Sequence, residues 1–185
     1  MRKFAYGNAA VWHFHVSEFN MEKNIIKEED LQKAAQEGMD AFIDVFVQAY
    51  LKLGDGQITA ELMQQLNGDQ ITLLAYHIFR EEVMDGGFCQ LIQNGYGPFI
   101  FDNPFAKAMR LWGLKDFSKQ LYKAREVYDA NREDLMRERT DEDFMAMYEQ
   151  YEAFDEIEEW YIEEEESLTG MVAYYVDEHI ETFII

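Results

Sequence analysis

The 185-residue chain has few of the residues that mark disulfide-linked or membrane-spanning proteins. It contains one cysteine, Cys89, and two prolines. A single cysteine cannot form an intrachain disulfide, so the composition indicates a reducing, cytoplasmic setting. No run of about 18 uncharged apolar residues occurs, so no membrane-spanning helix is predicted.

The sequence also lacks the motifs of several classes of site. Neither the Gly-x-x-x-x-Gly-Lys-Ser/Thr loop nor the Gly-x-Gly-x-x-Gly loop of nucleotide-binding proteins occurs. No Glu-x-x-His pair suits a di-iron centre, and the pair His13 and His15 does not by itself predict a metal site. Cys89 has no histidine nearby in sequence to activate it as a nucleophile. We therefore predict no cofactor, no metal and no catalytic residue, and hence a protein that is not an enzyme.

Basic residues are scarce and unevenly distributed. The chain has 16 Lys and Arg against 37 Asp and Glu, and its formal net charge is -21. All 16 basic residues precede Thr140, whereas the segment Thr140 to Ile185 contains 16 acidic residues and no Lys or Arg. Nucleic acids and anionic membranes would repel such a surface. We therefore expect neither direct nucleic-acid binding nor membrane binding.

The residues that are present predict a folded, helical protein. Hydrophobic residues make up 48% of the chain and aromatic residues 15%, which is unlike a disordered acidic tail. Apolar residues recur at spacings of three and four, so the fold class is all-α: a compact multi-helix domain over residues 28–185 with a strongly acidic C-terminal helical quarter. Residues 1–27 show no readable pattern. Residues 88–103, rich in Gly, Asn and aromatics, are predicted to be irregular.

Local signals place some helix ends. One long helix or two short ones are predicted over residues 28–53, and Thr59 is a candidate N-cap for the next. A turn is predicted at Asn67-Gly68, followed by a helix from a cap at Asp69 to about Met84.

The acidic quarter is predicted to be amphipathic. One face carries apolar residues, namely Phe144, Met147, Tyr151, Phe154, Ile157, Tyr161 and Leu168. The acidic residues follow the same spacing, offset by about half a turn. Carboxylates four residues apart on a helix stand about 6 Å apart, comparable to the phosphates of one nucleic-acid strand. The candidate partner-binding residues are Glu149, Glu152, Asp155, Glu156, Glu159, Glu163, Glu164, Glu165 and Glu166. The alternative is a solvated face that only keeps the protein soluble.

A short motif in the middle of the chain resembles that of a bacterial DNA mimic protein family. The motif consists of Asp85, Gly86, Gly87, Phe88, Gln90, Asn94 and Gly95. The similarity extends over residues 66–183, although Asp85 stands where the family usually has Asn. The resemblance implies an acidic, mainly helical dimer that occupies the DNA-binding surface of a transcription factor. The motif itself is interpreted as structural, with the glycines allowing a sharp helix exit and the phenylalanine anchoring it in the core.

Three hypotheses for function follow. The first is a non-enzymatic, cytoplasmic DNA mimic and regulator of transcription whose acidic face binds a basic DNA-binding protein. The second is an immunity or antitoxin-like protein that masks a basic nuclease or toxin. The third is a ligand-binding domain or enzyme that uses residues 85–101 as a pocket wall, with Asp85, Gln90, Asn94 and Tyr96 lining a cleft.

Overall fold

Helices joined by short turns make up the structure, a computed structural model that describes residues 26–185. The helices are α1 (Glu28–Glu37), α2 (Met39–Leu53), α3 (Ala60–Gln65), α4 (Gly68–Gln93), α5 (Gly97–Phe101), α6 (Phe105–Leu111), α7 (Lys115–Leu135), α8 (Asp141–Gln150), a 3-10 turn (Glu152–Phe154), α9 (Asp155–Glu178) and α10 (Ile180–Phe183). No strand occurs among these residues, which confirms the all-α prediction. The histidine pair at positions 13 and 15 lies outside the described residues.

The core forms where α4, α7 and α9 meet. The ring of Phe79 on α4 packs edge-on against Phe117 of α7 and Tyr161 of α9, at centroid distances of 5.3 and 4.9 Å. All three side chains are almost fully buried. Rings of this size each remove about 150–250 Å² from water, so this contact ties the acidic α9 to the body of the protein. Helix α2 packs against both α4 and α9.

Two helix starts show how local polar groups set the boundaries. The side-chain oxygen of Thr59 accepts the Leu62 amide at 3.2 Å, so the predicted cap of α3 is confirmed. Asp69, in contrast, is not the cap of α4. Asn67 is the cap, because its side chain accepts the Gln70 amide at 2.9 Å while the Gln70 side chain accepts the Asn67 amide at 2.9 Å. This reciprocal capping box replaces the predicted Asn67-Gly68 turn.

The prediction of an irregular segment over residues 88–103 is wrong. Helix α4 bends at Gly86 and Gly87 and then continues to Gln93, and α5 follows after a tight turn at Asn94 and Gly95. Several apolar side chains of this stretch are buried, and that burial favours regular backbone hydrogen bonding over an open loop. Among the described residues, no helix is both long enough and apolar enough to cross a bilayer.

Candidate functional site

Eight carboxylates form an exposed surface along α8, the 3-10 turn and α9. We call it the acidic surface, and its members are Glu149, Glu152, Asp155, Glu156, Glu159, Glu163, Glu164 and Glu166. Among residues 26–185, none of the eight forms an ion pair. The acidic surface therefore presents charge of one sign, without internal neutralisation.

The opposite side of the acidic quarter is apolar, as predicted. Met147, Tyr151, Phe154, Ile157 and Tyr161 are buried. Helix α9 is continuous from Asp155 to Glu178, and apolar side chains of its second half, namely Leu168, Val172 and Val176, are also buried. The buried side chains set the rotation of α9, and that rotation turns the acidic surface outward.

Glu165, a candidate partner-binding residue, faces inward instead. Its side chain is 15% exposed and forms an ion pair with Arg80 of α4. It also accepts the Thr169 hydroxyl at 2.8 Å, and that hydroxyl lies 2.8 Å from the Tyr76 hydroxyl. Position 165 is one turn after Tyr161, so periodicity points it at the core, where Arg80 compensates the buried charge. We therefore leave Glu165 out of the acidic surface.

The Gly-Gly-Phe motif forms a break inside α4. Gly86 has φ -153° and Gly87 has φ 70°, so both depart from helical geometry. The left-handed φ of Gly87 suits glycine because a side chain at that angle is strained. Phe88 is buried and stacks on Phe154 at a centroid distance of 4.9 Å. The predicted break before a buried phenylalanine is confirmed, although the helix resumes after the glycines.

The break holds the acidic quarter in place. The Phe88 amide, freed from the helix ladder by the bend, donates to the Glu158 carboxylate of α9 at 2.6 Å. The Tyr148 hydroxyl of α8 donates to the Gly86 carbonyl at 2.9 Å. A Cβ at Gly87 would lie 2.4 Å from a Glu158 oxygen, so the Glu158 side chain would have to move and its hydrogen bond to the Phe88 amide would be disturbed. The motif thus provides the backbone groups to which α8 and α9 are hydrogen-bonded.

Neither Glu158 nor Tyr148 was predicted from the sequence to contact the motif. Burial raises the pKa of Glu158, and the hydrogen bond from the Phe88 amide offsets part of that rise. One sequence signal separates Glu158 from its neighbours, because it stands outside the series Glu152, Glu156, Glu159 at spacings of three and four. The partner of its carboxylate, 70 positions earlier in the chain, has no signal in the local sequence.

The polar side chains of the motif form hydrogen bonds with one another and with Glu82. The Gln90 amide donates to Asp85 at 2.8 Å, and both Gln90 and Asn94 donate to Glu82. Cys89 is buried, and burial raises the pKa of its thiol to about 12. A thiol with that pKa is protonated at neutral pH and is a poor nucleophile.

A charged cluster fixes the junction between α7 and the acidic quarter. Asp134 accepts hydrogen bonds from Tyr151, from Arg137 at 2.7 Å and from Arg139 at 2.6 Å. These donors hold the pKa of Asp134 well below its usual value, with the Tyr151 hydroxyl the largest cause.

Within residues 26–185, no group of three or more His, Cys, Asp or Glu side chains is arranged to hold a metal ion.

Comparison with known proteins places this arrangement in a family. The profile of the family described as DMP19-like protein matches residues 64–179. The chain is also 32% identical over 149 residues to the DNA mimic protein DMP19 of Neisseria meningitidis serogroup B, covering 80% of this chain and 90% of that protein. The chain belongs to the DMP19-like family. The resemblance inferred from the Gly-Gly-Phe motif is therefore confirmed.

The family match in this DMP19-like chain includes the whole candidate site. Residues 64–179 contain the break in α4, its partners on α8 and α9, and every member of the acidic surface. Helices α1 and α2 precede the matched range. The break and the acidic surface thus lie within one matched segment, and the break is hydrogen-bonded to Tyr148 and Glu158 on the two helices that carry the acidic surface.

Proposed function

We propose that this chain is a non-enzymatic DNA mimic whose acidic surface binds the basic DNA-binding surface of a partner protein. The observation that carries the proposal is the set of eight exposed carboxylates without an ion pair among the described residues. A relative that shares 32% identity is named a DNA mimic protein, which supports the same function here. The partner proposed is a cytoplasmic DNA-binding protein, such as a regulator of transcription.

The spacing of the acidic surface supports this binding mode. Asp155, Glu159 and Glu163 follow one another at intervals of four residues on α9. Each interval advances about 6 Å along the helix, comparable to the spacing of phosphates along a strand. Arg and Lys side chains that bind phosphates would form charge-assisted hydrogen bonds with these carboxylates.

The framework beneath the acidic surface favours binding because it reduces the ordering that association requires. Helix α9 is held from below by the contacts of Glu158 with Phe88 and of Glu165 with Arg80. A surface that is already ordered loses less conformational entropy on binding. The free energy of each carboxylate contact then contributes more fully to affinity.

Few aromatic side chains beside the acidic surface are available to a partner. Tyr151 and Tyr161 are buried, and the Tyr148 hydroxyl is bonded to Gly86, so none of the three is free to insert into a partner. Trp160 is half-buried and Ile162 is exposed beside the carboxylates. We therefore expect an interface dominated by charge, with an affinity that falls steeply as salt rises.

A competition titration tests the proposal. The partner is recovered from a lysate of the source cells on the immobilised chain at low salt, eluted with high salt, and identified. Its complex with a labelled duplex is then titrated with the wild-type chain and with a variant carrying Glu152→Gln, Glu156→Gln, Glu159→Gln and Glu163→Gln. We expect the wild type to release the duplex, and the variant to require at least about tenfold more protein, because loss of about 1.4 kcal/mol is a factor of ten.

A matched variant separates the acidic surface from net charge. The control variant loses the same number of charges from exposed positions on α1 and α3. It carries Glu28→Gln, Glu29→Gln, Glu37→Gln and Glu61→Gln. This control should release the duplex as the wild type does. Equal loss in both variants would show that net charge alone is responsible, and release by neither wild type nor control would overturn the proposal.

A further inference from the structure

The outer side of α9 loses its charge where the acidic surface ends. Residues 155–166 contain eight acidic residues, whereas residues 167–176 contain no charged residue. The uncharged stretch is not entirely core, because Ser167, Met171 and Tyr174 within it are exposed. The surface of α9 therefore changes from acidic to neutral along the helix.

Two large side chains are exposed on this neutral surface. Met171 is 40% exposed and Tyr174 is 56% exposed, and we call the pair the apolar patch. Leu168, Val172 and Val176 of the same stretch are buried, so they, and not the apolar patch, attach this half of α9 to the core. Met and Tyr are enriched in protein-binding surfaces. The apolar patch is therefore available to a partner protein.

The apolar patch lies on the same side of α9 as the acidic surface. Tyr174 stands 11 residues after Glu163, and Met171 stands seven residues after Glu164. These intervals are close to three turns and two turns, so each side chain of the apolar patch lies within about 20° of that carboxylate around the helix axis. From Asp155 to Tyr174, the acidic surface and the apolar patch form one continuous side of α9 about 28 Å long.

The backbone beneath the apolar patch is held by α2. A Cβ at Gly170 would lie 2.9 Å from the sulfur of Met39, so that sulfur packs directly on this turn of α9. Val172 and Val176 on the following turns are fully buried. The apolar patch thus extends from an ordered helix, and an ordered surface loses less conformational entropy on binding.

A protein bound to the acidic surface is large enough to cover the apolar patch. A standard interface covers about 800 Å² of each partner, which is a region about 30 Å across. When centred on Glu163, such a region extends along α9 to Asp155 at about 12 Å and to Tyr174 at about 16 Å. The apolar patch therefore falls at the edge of the contact that the acidic surface makes.

The chemistry of the apolar patch is closer to that of a DNA base edge than to that of a phosphate. Side chains that read bases form hydrogen bonds with the base edges and pack apolar groups against the thymine methyl group. Tyr174 offers an aromatic ring and a hydroxyl, and Met171 offers a flexible apolar side chain. Among residues 26–185, no hydrogen bond occupies the Tyr174 hydroxyl. The hydroxyl can therefore pair with a side chain of a partner.

We propose that the apolar patch contacts the base-reading side chains of the partner, while the acidic surface binds its phosphate-binding side chains. This inference rests on the proposed function and deepens it by naming residues that select the partner. Phosphate contacts carry no sequence information, whereas base-reading side chains differ from one DNA-binding protein to another. Charge alone would bind many basic proteins, and the apolar patch restricts binding to those whose base-reading side chains fit it.

Truncation of the apolar patch tests the inference. The complex of the recovered partner with a labelled duplex is titrated at several salt concentrations with the wild type and with a variant carrying Met171→Ala and Tyr174→Ala. We expect the variant to require at least about tenfold more protein at each salt concentration, because buried interface tyrosines are frequent hot spots. The slope of log affinity against log salt should be unchanged, because no charge is removed. The four-fold Glu→Gln variant of the acidic surface should instead reduce that slope.

Two controls separate selection of the partner from general stickiness. Leu111→Ala with Tyr122→Ala removes side chains of similar size, 73% and 42% exposed on α6 and α7, and should release the duplex as the wild type does. A basic protein that binds DNA without sequence preference should bind the wild type and the Met171→Ala, Tyr174→Ala variant equally, because its contacts are to phosphates. Where the alanine variant loses its helical circular dichroism, Met171→Gln with Tyr174→Gln replaces it and should show the same tenfold loss.

The outcomes distinguish this inference from the proposed function. Equal release of the duplex by the wild type and the Met171→Ala, Tyr174→Ala variant would overturn the inference and leave the proposed function in place. Failure of the wild type to release the duplex would overturn the proposed function and the inference with it. Equal weakening towards the protein without sequence preference would overturn the role of the apolar patch in selection. A smaller sedimentation mass for the isolated variant than for the isolated wild type would assign the apolar patch to a contact between copies and would also overturn the inference.

Discussion

Helix α9 carries carboxylates on two sides, and the two sets have different surroundings. On the inner side, Glu158 accepts the Phe88 amide and Glu165 is paired with Arg80. On the outer side, the carboxylates of the acidic surface have no ion pair among the described residues. One residue type therefore anchors the helix on one side and presents charge on the other.

The inner carboxylates depend on donors from another helix. The acidic quarter contains no Lys or Arg, so α9 cannot neutralise its own charge. Helix α4 supplies both compensating groups, the Arg80 guanidinium and the backbone amide exposed by the bend at Gly87. A helix that carries only acidic side chains thus needs cations or hydrogen-bond donors from a neighbouring helix on its buried side.

The largest effect should come from removing an inner aromatic side chain. Tyr161→Ala deletes a buried ring that packs on Phe79 and Phe117, and we expect a loss of about 4 kcal/mol in the free energy of unfolding. The neighbouring substitution Ile162→Ala, on the exposed side, should change it by less than about 0.5 kcal/mol. Urea unfolding of both variants measures the contrast. Similar losses would show that the two sides of α9 are not energetically distinct.

The next largest effect should come from filling the break in α4. Gly87→Ala places a methyl group 2.4 Å from a Glu158 oxygen at a φ of 70°, and we expect a loss of about 3 kcal/mol in the free energy of unfolding. Gly68→Ala is the control, because no atom lies within 4 Å of its added Cβ. It should change the free energy by less than about 1 kcal/mol. An unchanged free energy of unfolding in Gly87→Ala would show that the motif does not hold α9 in place.

A smaller effect should distinguish two adjacent glutamates. Glu165→Gln removes the charge paired with the partly buried Arg80, and we expect a loss of about 1–2 kcal/mol in the free energy of unfolding. Glu166→Gln, one position later and exposed, should change it by less than about 0.5 kcal/mol. Thermal or urea unfolding at neutral pH measures both. A larger loss for Glu166→Gln would reverse the assignment of inner and outer sides.

The smallest effect should appear in the pH dependence of stability. Burial raises the folded-state pKa of Glu158 above its unfolded value of about 4.3. Its contribution to stability therefore increases as pH falls through the folded pKa and is complete below about pH 4.3. Relative to a Glu158→Gln variant, the wild type should gain stability as pH is lowered from 7 to about 4. Urea unfolding at a series of pH values measures the difference.

The pH dependence of stability expected from Asp134 has the opposite sign to that expected from Glu158. Its folded pKa is lowered, so its contribution is present above the unfolded value of about 3.9 and is lost as pH falls through the folded pKa. Relative to Asp134→Asn, the wild type should lose stability on acidification. Parallel behaviour of the two residues would contradict the assignment of Glu158 as a buried carboxylate.

Local patterns predicted much of the framework correctly. The three-and-four spacing identified the buried face of the acidic quarter, and the Thr59 cap and the break before Phe88 were both confirmed. Predictions failed where a distant or competing group decided the result. Asn67, and not Asp69, caps α4. The two glycines bend α4 but do not end it, because Phe88 and several residues after it are buried in the core.

The sequence by itself determined the helical class, the sign of the charge after Arg139 and the position of the break in α4. Each depends on residues close together in the chain, through periodicity, composition or backbone freedom. Only the tertiary structure decided which groups bond to the inward-facing carboxylates of α9. The donor to Glu158 is the Phe88 amide and the donor to Glu165 is Arg80. Both donors are on α4, 70 and 85 positions earlier in the chain. A carboxylate can be buried only beside such a donor, and folding, not local pattern, brings the donor there.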